Sequence, residues 1–331
     1  MYFLLQTLSL AFINMAGDNI GLVPDAGTWV SSKMYGITLA AYFILGPILG
    51  GIAAWLGAKS GADIISLTNK LYGKCGRRIL AYIVLGVCIP ASSITGGYYA
   101  GHILAQITGL PIAVAALISI ILFSVTAIGY GFEVLRISNY IAVLLMPILL
   151  YVVLGEGVDI PLNTLFSIPD DWLLVMALVG YNVQGMSAVL IIETGSCLAS
   201  QKITAVTLIV MAKIIEALFT VVILNLVIRL GGNGPFALGT VVVKSGGELL
   251  VAIFYVVSFC TLYSTMAPAM LVNVRQFQYI TKSSILISTC LIGGIVYGLT
   301  YISIPLLISF MGYASILMIL FTGYTAYYIR K

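Results

Sequence analysis

Charge is scarce in this chain. Only 8% of its 331 residues are Asp, Glu, Lys or Arg, against roughly a quarter in a soluble domain. That scarcity excludes both a water-solvated globule and a charged disordered chain. The only basic cluster is a short one at 70–78, so a nucleic-acid partner has no support. Histidine is nearly absent, with His102 alone. No His-Glu-x-x-His run, Ser/His arrangement or paired aspartates occur, so the chain is read as not an enzyme. Cys75, Cys88, Cys197, Cys260 and Cys290 are odd in number, scattered and without metal-ligand spacing. They read as packing thiols, and no resident cofactor is expected. The first hydrophobic run lacks a basic leader and carries Asp18 where a signal core would continue, so a cleavable signal is not expected. That run begins almost at residue 1, and no cytoplasmic regulatory tail is expected ahead of it.

What the chain has instead is hydrocarbon. Hydrophobic residues make up 61% and the mean hydropathy is +1.13, which defines a polytopic membrane protein with the lipid bilayer as its surroundings. Apolar runs long enough to cross ~30 Å of hydrocarbon fall at about 2–31, 36–58, 79–107, 110–130, 134–154, 171–198, 202–230, 248–274, 283–300 and 303–329. Ten transmembrane helices joined by mostly short connections make one membrane domain over 1–331.

The few basic residues set the orientation. Lys59, Lys70, Lys74, Arg77, Arg78, Arg136, Lys202, Arg275, Lys282, Arg330 and Lys331 lie on one side, against Lys33, Arg229 and Lys244 on the other. The positive-inside rule places both termini in the cytoplasm. Glu156, Asp159, Asp170 and Asp171 then face outward.

Two spans are interrupted in matching ways. Met15-Ala-Gly-Asp-Asn-Ile-Gly-Leu-Val-Pro-Asp-Ala-Gly27 in span one and Gly180-Tyr-Asn-Val-Gln-Gly-Met186 in span six put glycines and hydrogen-bonding side chains mid-bilayer. Free backbone groups survive there only if buried in protein or lining a cavity. Split five plus five, the halves of about 1–156 and 170–331 each open on such a break. An odd number of spans per half inverts the second relative to the first, the architecture of inverted-repeat transporters.

Other features have plainer readings. Ser60–Tyr72 is amphipathic and reads as a short interfacial helix, and Gly231-Gly-Asn-Gly-Pro-Phe236 leads into a short helix at 237–245 over the outer mouth. Gly46, Gly50 and Gly51 in span two, with Gly96, Gly97 and Gly101 in span three, fit close helix approach. Pro90, Pro147, Pro268 and Pro305 are tolerated kinks.

Charged groups inside spans cost at least a few kcal/mol at the bilayer centre unless paired or hydrated. They are Asp18, Asp25, Glu193, Lys213 and Glu216. Lys213 and Glu216, three apart, share a helical face and can pair, with Glu193 competing from span six. A structural ion pair or cytoplasmic gate is the reading of this trio. Asp18 sits in the break itself, where a carboxylate can hold a cation, accept a proton, bind a substrate ammonium, or cap the second half-helix. Asp25, beside Pro24, is either a cap or part of an outer vestibule. His102 is a helix-to-helix hydrogen bond or a proton relay. Thr261, Ser264 and Thr265 lie largely on one face of span eight. Their oxygens suit a hard monovalent cation, or bond the preceding turn.

The break at Met15–Leu22 resembles the unwound first helix of sodium-coupled transporters of the LeuT fold, in the amino acid-polyamine-organocation superfamily. Span six, with Tyr181-Asn182 and Met186-Ser-Ala-Val-Leu190, and span eight, with Tyr263-Ser-Thr265, look closer still to YkvI-type membrane proteins of that superfamily. The resemblance implies a sodium site from carbonyls of Gly17, Ile20 and Thr261 with side chains of Ser264 and Thr265. It implies a substrate site from Asp18, Gly21, Tyr181, Asn182, Gln184 and Tyr98 or Tyr99. YkvI-type proteins continue the first break through a glycine-rich run to a glutamate, where this chain has Val23-Pro24-Asp25 and then Trp29. Asp25-Ala-Gly-Thr-Trp29 also looks like the Nramp metal-transporter motif, but proline precedes the aspartate, threonine replaces the asparagine, and the Met-Pro-His of helix six is missing.

The expectation is a secondary active transporter in a prokaryotic plasma (inner) membrane, moving a small amino-acid-like solute by alternating access with Na+ or H+ as coupling ion. The alternatives are a solute sensor or germinant-receptor-like subunit of the same fold, or an Nramp-like divalent metal transporter.

Overall fold

Glycine and capping residues cut the apolar sequence into helices where the hydrophobic runs end. The computed structural model describes residues 41–129, 145–157 and 201–330, with Gly21, Asp25, Leu173, Met176, Ala177, Gly180, Ala188, Val189, Ile191, Ile192, Gly195, Ser196, Leu198 and Ala199. All regular structure among them is helical. Span two is a π-turn, Ala41–Leu45, running into Gly46–Ser60. Gly61, at φ 59°, closes it in the left-handed conformation that glycine adopts without Cβ strain. Asp63 then caps the next helix, its Oδ1 accepting from the Ser66 amide at 2.6 Å.

That helix, Ile64–Ser92, joins the amphipathic segment to span three with a single break at Gly73 (φ 66°, ψ −168°). The amphipathic turn lies on the end of span ten, where Tyr72 stacks with Tyr324 and meets Phe321 edge-on. Its hydroxyl is 3.0 Å from Thr325 Oγ1. Span three continues through a π-helical stretch, Ser93–Tyr99, into Ala100–Thr108. A π-turn inserts residues into a helix and re-aims the side chains around it, and such turns recur at functional sites.

Further on are Ile112–Gly129, Leu145–Glu156, Lys202–Leu230, the short Ala237–Ser245, Glu248–Thr281, Ile285–Leu299 and Ile304–Arg330. Five of the described helices are long and apolar enough to cross a membrane. Span eight runs on past 274 to Thr281 because its last turns leave hydrocarbon for a polar surface. There Arg77 of span three lies over the Tyr279 ring, 3.4 Å from its centroid.

Span three is the hub, packed against spans four, eight and ten, while span seven lies along span two. Glycine sets these distances. A Cβ on Gly101 would sit 2.8 Å from Ala116 of span four, and one on Gly97 would strike Thr300. Gly50 faces Ile209 and Lys213 of span seven, and Gly51 faces Val210. Gly57 lies against the Ile192 carbonyl, Gly195 against the Ala54 carbonyl, and Gly312 against Ala177. Span six is thus held to span two around 192–195 and to span ten around 177–180, by close approach through small residues.

Candidate functional site

The two described residues of span one, Gly21 and Asp25, both meet Tyr99. A Cβ on Gly21 would fall 2.6 Å from the ring, so only a glycine lets this backbone rest on the aromatic face. The ring is fully buried. Its hydroxyl donates to Asp25 Oδ2 at 3.0 Å, and the Ala237 amide donates to Asp25 Oδ1 at 2.9 Å. Ala237 is the first residue of the short helix Ala237–Ser245, whose N-cap residue, Phe236, makes no side-chain cap. Asp25 therefore caps this helix from another part of the chain and ties it to spans one and three.

The helix is fixed at its other end too. Lys244 Nζ donates to the carbonyls of Leu230 and Gly231, 3.0 and 3.1 Å away, capping span seven. Phe236 packs between Tyr99 and Phe254, stacked on the latter at 5.8 Å. The result is a lid over the end of the bundle opposite the basic loops.

Of the two tyrosines proposed for substrate, Tyr99 is the one against span one. Tyr98 stands beside it, its ring edge-on to that of Tyr99 at 5.2 Å. It lines an open groove of about 600 Å³ with His102, Thr300 and Tyr301. His102 stacks on Tyr98 at 4.4 Å, and its Nδ1 donates to the Tyr98 carbonyl at 2.8 Å. The bond taken by Nδ1 is thus one within span three and not one between helices.

On span eight, Thr261, Ser264 and Thr265 are all buried. The Thr261 hydroxyl donates to Val257 O at 2.7 Å, and the Ser264 hydroxyl to Thr261 O at 2.7 Å. Both bonds consume a proton and leave lone pairs. Thr261 Oγ1 and Ser264 Oγ keep acceptor capacity that suits a hard monovalent cation, while the Thr261 carbonyl already accepts from Ser264. One turn earlier on the same stripe, the buried Ser258 hydroxyl has no hydrogen-bond partner among the described residues.

Lys213 Nζ and Glu216 Oε2 are 2.8 Å apart in span seven, with side chains 3% and 1% exposed. Gly50 lies against the aliphatic stem of Lys213, so the pair sits between spans two and seven. Asp18, Gly17, Ile20, Tyr181, Asn182, Gln184 and Glu193 lie outside the described residues. Asp25 was considered as a cap or vestibule group but not as part of the substrate site. The sequence signal for its place is the downstream helix opening on phenylalanine, among the poorer choices for a cap.

No family model matches the chain, and no curated protein matches it. Solved structures do. The chain is similar to Mhp1, a nucleobase-cation-symport-1 family transporter, closed with bromovinylhydantoin bound: TM-score 0.69, 16% identity, 95% of this chain and 77% of that one. It is similar to MhsT in complex with L-phenylalanine, with TM-score 0.60, 20% identity and 92% and 79% coverage. It is also similar to the inward-facing conformation of Mhp1, with TM-score 0.62, 15% identity and 98% and 73% coverage. The chain has the LeuT fold. Within that fold, spans two to five and seven to ten are represented among the described helices in the expected order.

Proposed function

We propose that this protein is a secondary active transporter that moves a small, amino-acid-like organic solute by alternating access, coupled to Na+ or H+. The observation that carries the reading is the seating of Gly21 of span one on the buried Tyr99 ring of span three, under a short helix tied down by Asp25. In a LeuT-fold bundle, substrate between the breaks of spans one and six lies against span three. The solute site is therefore assigned to Asp18, Gly21, Tyr99, Tyr181, Asn182 and Gln184. Half-helix N-termini at the breaks present positive dipole ends to a carboxylate, and Asp18 receives the ammonium. Neighbours of this fold were solved with small organic ligands, L-phenylalanine and bromovinylhydantoin, which supports the solute class. The motifs of spans six and eight support kinship with YkvI-type proteins.

The coupling ion is assigned to carbonyls of Gly17, Ile20 and Thr261 with Ser264 and Thr265. Lys213 and Glu216, with Glu193, form a gate on the cytoplasmic side. Purified protein in liposomes, given labelled amino acids and an inward Na+ or H+ gradient, tests the reading. Accumulation against the solute gradient that collapses with the ion gradient is the expected result. Solute-dependent thermal stabilisation without flux would make the protein a sensor, and flux indifferent to both gradients would make it a channel.

A further inference from the structure

We propose that the groove between spans two, seven and ten is a binding site for an anionic diacyl phospholipid, taken from the leaflet that meets the basic loops. The groove has a volume of about 680 Å³ and is walled by Ile48, Trp55, Val206 and Val210, with Gly323 and Arg330 on the side of span ten. It lies on the bundle's surface, since Ile48, Gly323 and Tyr327 are exposed. A Cβ at Gly323 would meet nothing within 4 Å, so the floor is open and not merely loosely packed.

Three cations gather at one end. Arg330 lines the groove itself. Lys59 stands over the ring of Trp55, 4.9 Å from its centroid, and Lys202 opens the span-seven helix one turn ahead of Val206. Spans two and ten carry no acidic residue in their described helices, and in span seven Glu216 is engaged with Lys213. A row of hydrocarbon walls ending in three cations that make no ion pair among the described residues matches a molecule with an acyl chain and a phosphate. Basic pockets between membrane helices bind anionic headgroups for this reason, at about fivefold in affinity for each cation near the surface. The Trp55 ring sits where apolar wall gives way to charge, the position interfacial tryptophan favours.

The test is a titration of the detergent-purified full chain, read by native mass spectrometry. The ligands are a phosphatidylglycerol, a phosphatidylcholine with the same chains, and glycerol phosphate. Phosphatidylglycerol should bind at least tenfold more tightly than phosphatidylcholine, and glycerol phosphate should not compete. Lys59→Gln, Lys202→Gln and Arg330→Gln together should bring phosphatidylglycerol down to the phosphatidylcholine level. Gly323→Phe, which fills open space, should weaken both lipids while leaving the melting temperature in place. Equal binding of the two lipids, or competition by glycerol phosphate, would overturn the proposal. So would lipid binding untouched by both variants. A dimer mass that Gly323→Phe abolishes would instead make the groove a contact between copies.

Discussion

The phenol of Tyr99 donates to the carboxylate of Asp25 at 3.0 Å, and through that aspartate span three is connected to the N-terminus of a helix that begins 212 residues after it. Asp25 is 2% exposed. A carboxyl group buried at that depth persists only if its oxygens are met by donors. Two of the donors to Asp25, the Tyr99 hydroxyl and the Ala237 amide, come from elements that a moving lid would separate. The bond is therefore placed to resist opening on the side opposite the basic loops.

Asp25→Ala should cost about 1–3 kcal/mol, because it removes the cap from Ala237 and the hydrogen bond from Tyr99. Tyr99→Phe keeps the ring on Gly21 and should cost about 1 kcal/mol. The double variant should cost less than the sum, since both singles break the same bond. Melting temperature measures the cost, and thiol labelling of Thr240→Cys measures opening. Labelling that stays at the wild-type rate in both single variants would mean that the bond does not hold the lid.

Lys213 and Glu216 give a second energetic test. Removing one partner of a buried pair strands a charge, at roughly 3–5 kcal/mol, whereas removing both is often close to neutral. Lys213→Met should thus lower the melting temperature more than Lys213→Met combined with Glu216→Gln. If only the addition of Glu193→Gln rescues the lysine variant, Glu193 is the dominant partner. If no combination rescues it, the pair contributes through packing against Gly50 and not through charge.

Much of this was legible in the sequence for identifiable reasons. Hydropathy located the helices, and in span seven the expected 202–230 coincides with Lys202–Leu230, because a breaker run of glycines follows it. The end of span eight was not legible. Its final turns are polar yet helical, held by partners such as Arg77 that only the tertiary structure brings near. Glycine packing was readable as a class, but which helix each glycine meets was not. The short helix at 237–245 was anticipated from its breaker run. Its cap was not, since Asp25 lies far away in sequence and local pattern cannot report a cap in trans. Which of the two tyrosine rings lies under Gly21 was likewise open to the sequence, and it is that of Tyr99.

Asp18 separates capping from function. Asparagine is nearly isosteric and keeps a capping oxygen, so under a capping role Asp18→Asn should preserve both folding and transport. If Asp18 contacts solute or coupling ion, uptake should fall tenfold or more, about 1.4 kcal/mol or greater. Should Asp18 also take up the coupled proton, the residual uptake should lose its pH dependence. Wild-type uptake and pH dependence in the variant would move the site elsewhere along spans one and six.

Ser264 and Thr265 test the coupling ion, and Thr261 supplies an internal control. The Thr261 hydroxyl donates to Val257 O, and the group that the proposed ion site takes from this residue is its carbonyl, which a side-chain change leaves in place. The Ser264 hydroxyl donates in the same way, to Thr261 O, but the proposed site takes its side-chain oxygen itself for the ion. Ser264→Ala with Thr265→Ala should raise the half-saturating Na+ concentration by tenfold or more, equivalent to about 1.4 kcal/mol. Thr261→Val should leave it within about twofold while lowering the melting temperature slightly, through loss of one intrahelical bond. Initial uptake rates over a Na+ series, with melting curves as the check on folding, read both outcomes. Unchanged ion dependence in the folded double variant would remove these hydroxyls from the coupling site. An equal effect of Thr261→Val would attribute the change to the helix and not to its ligands.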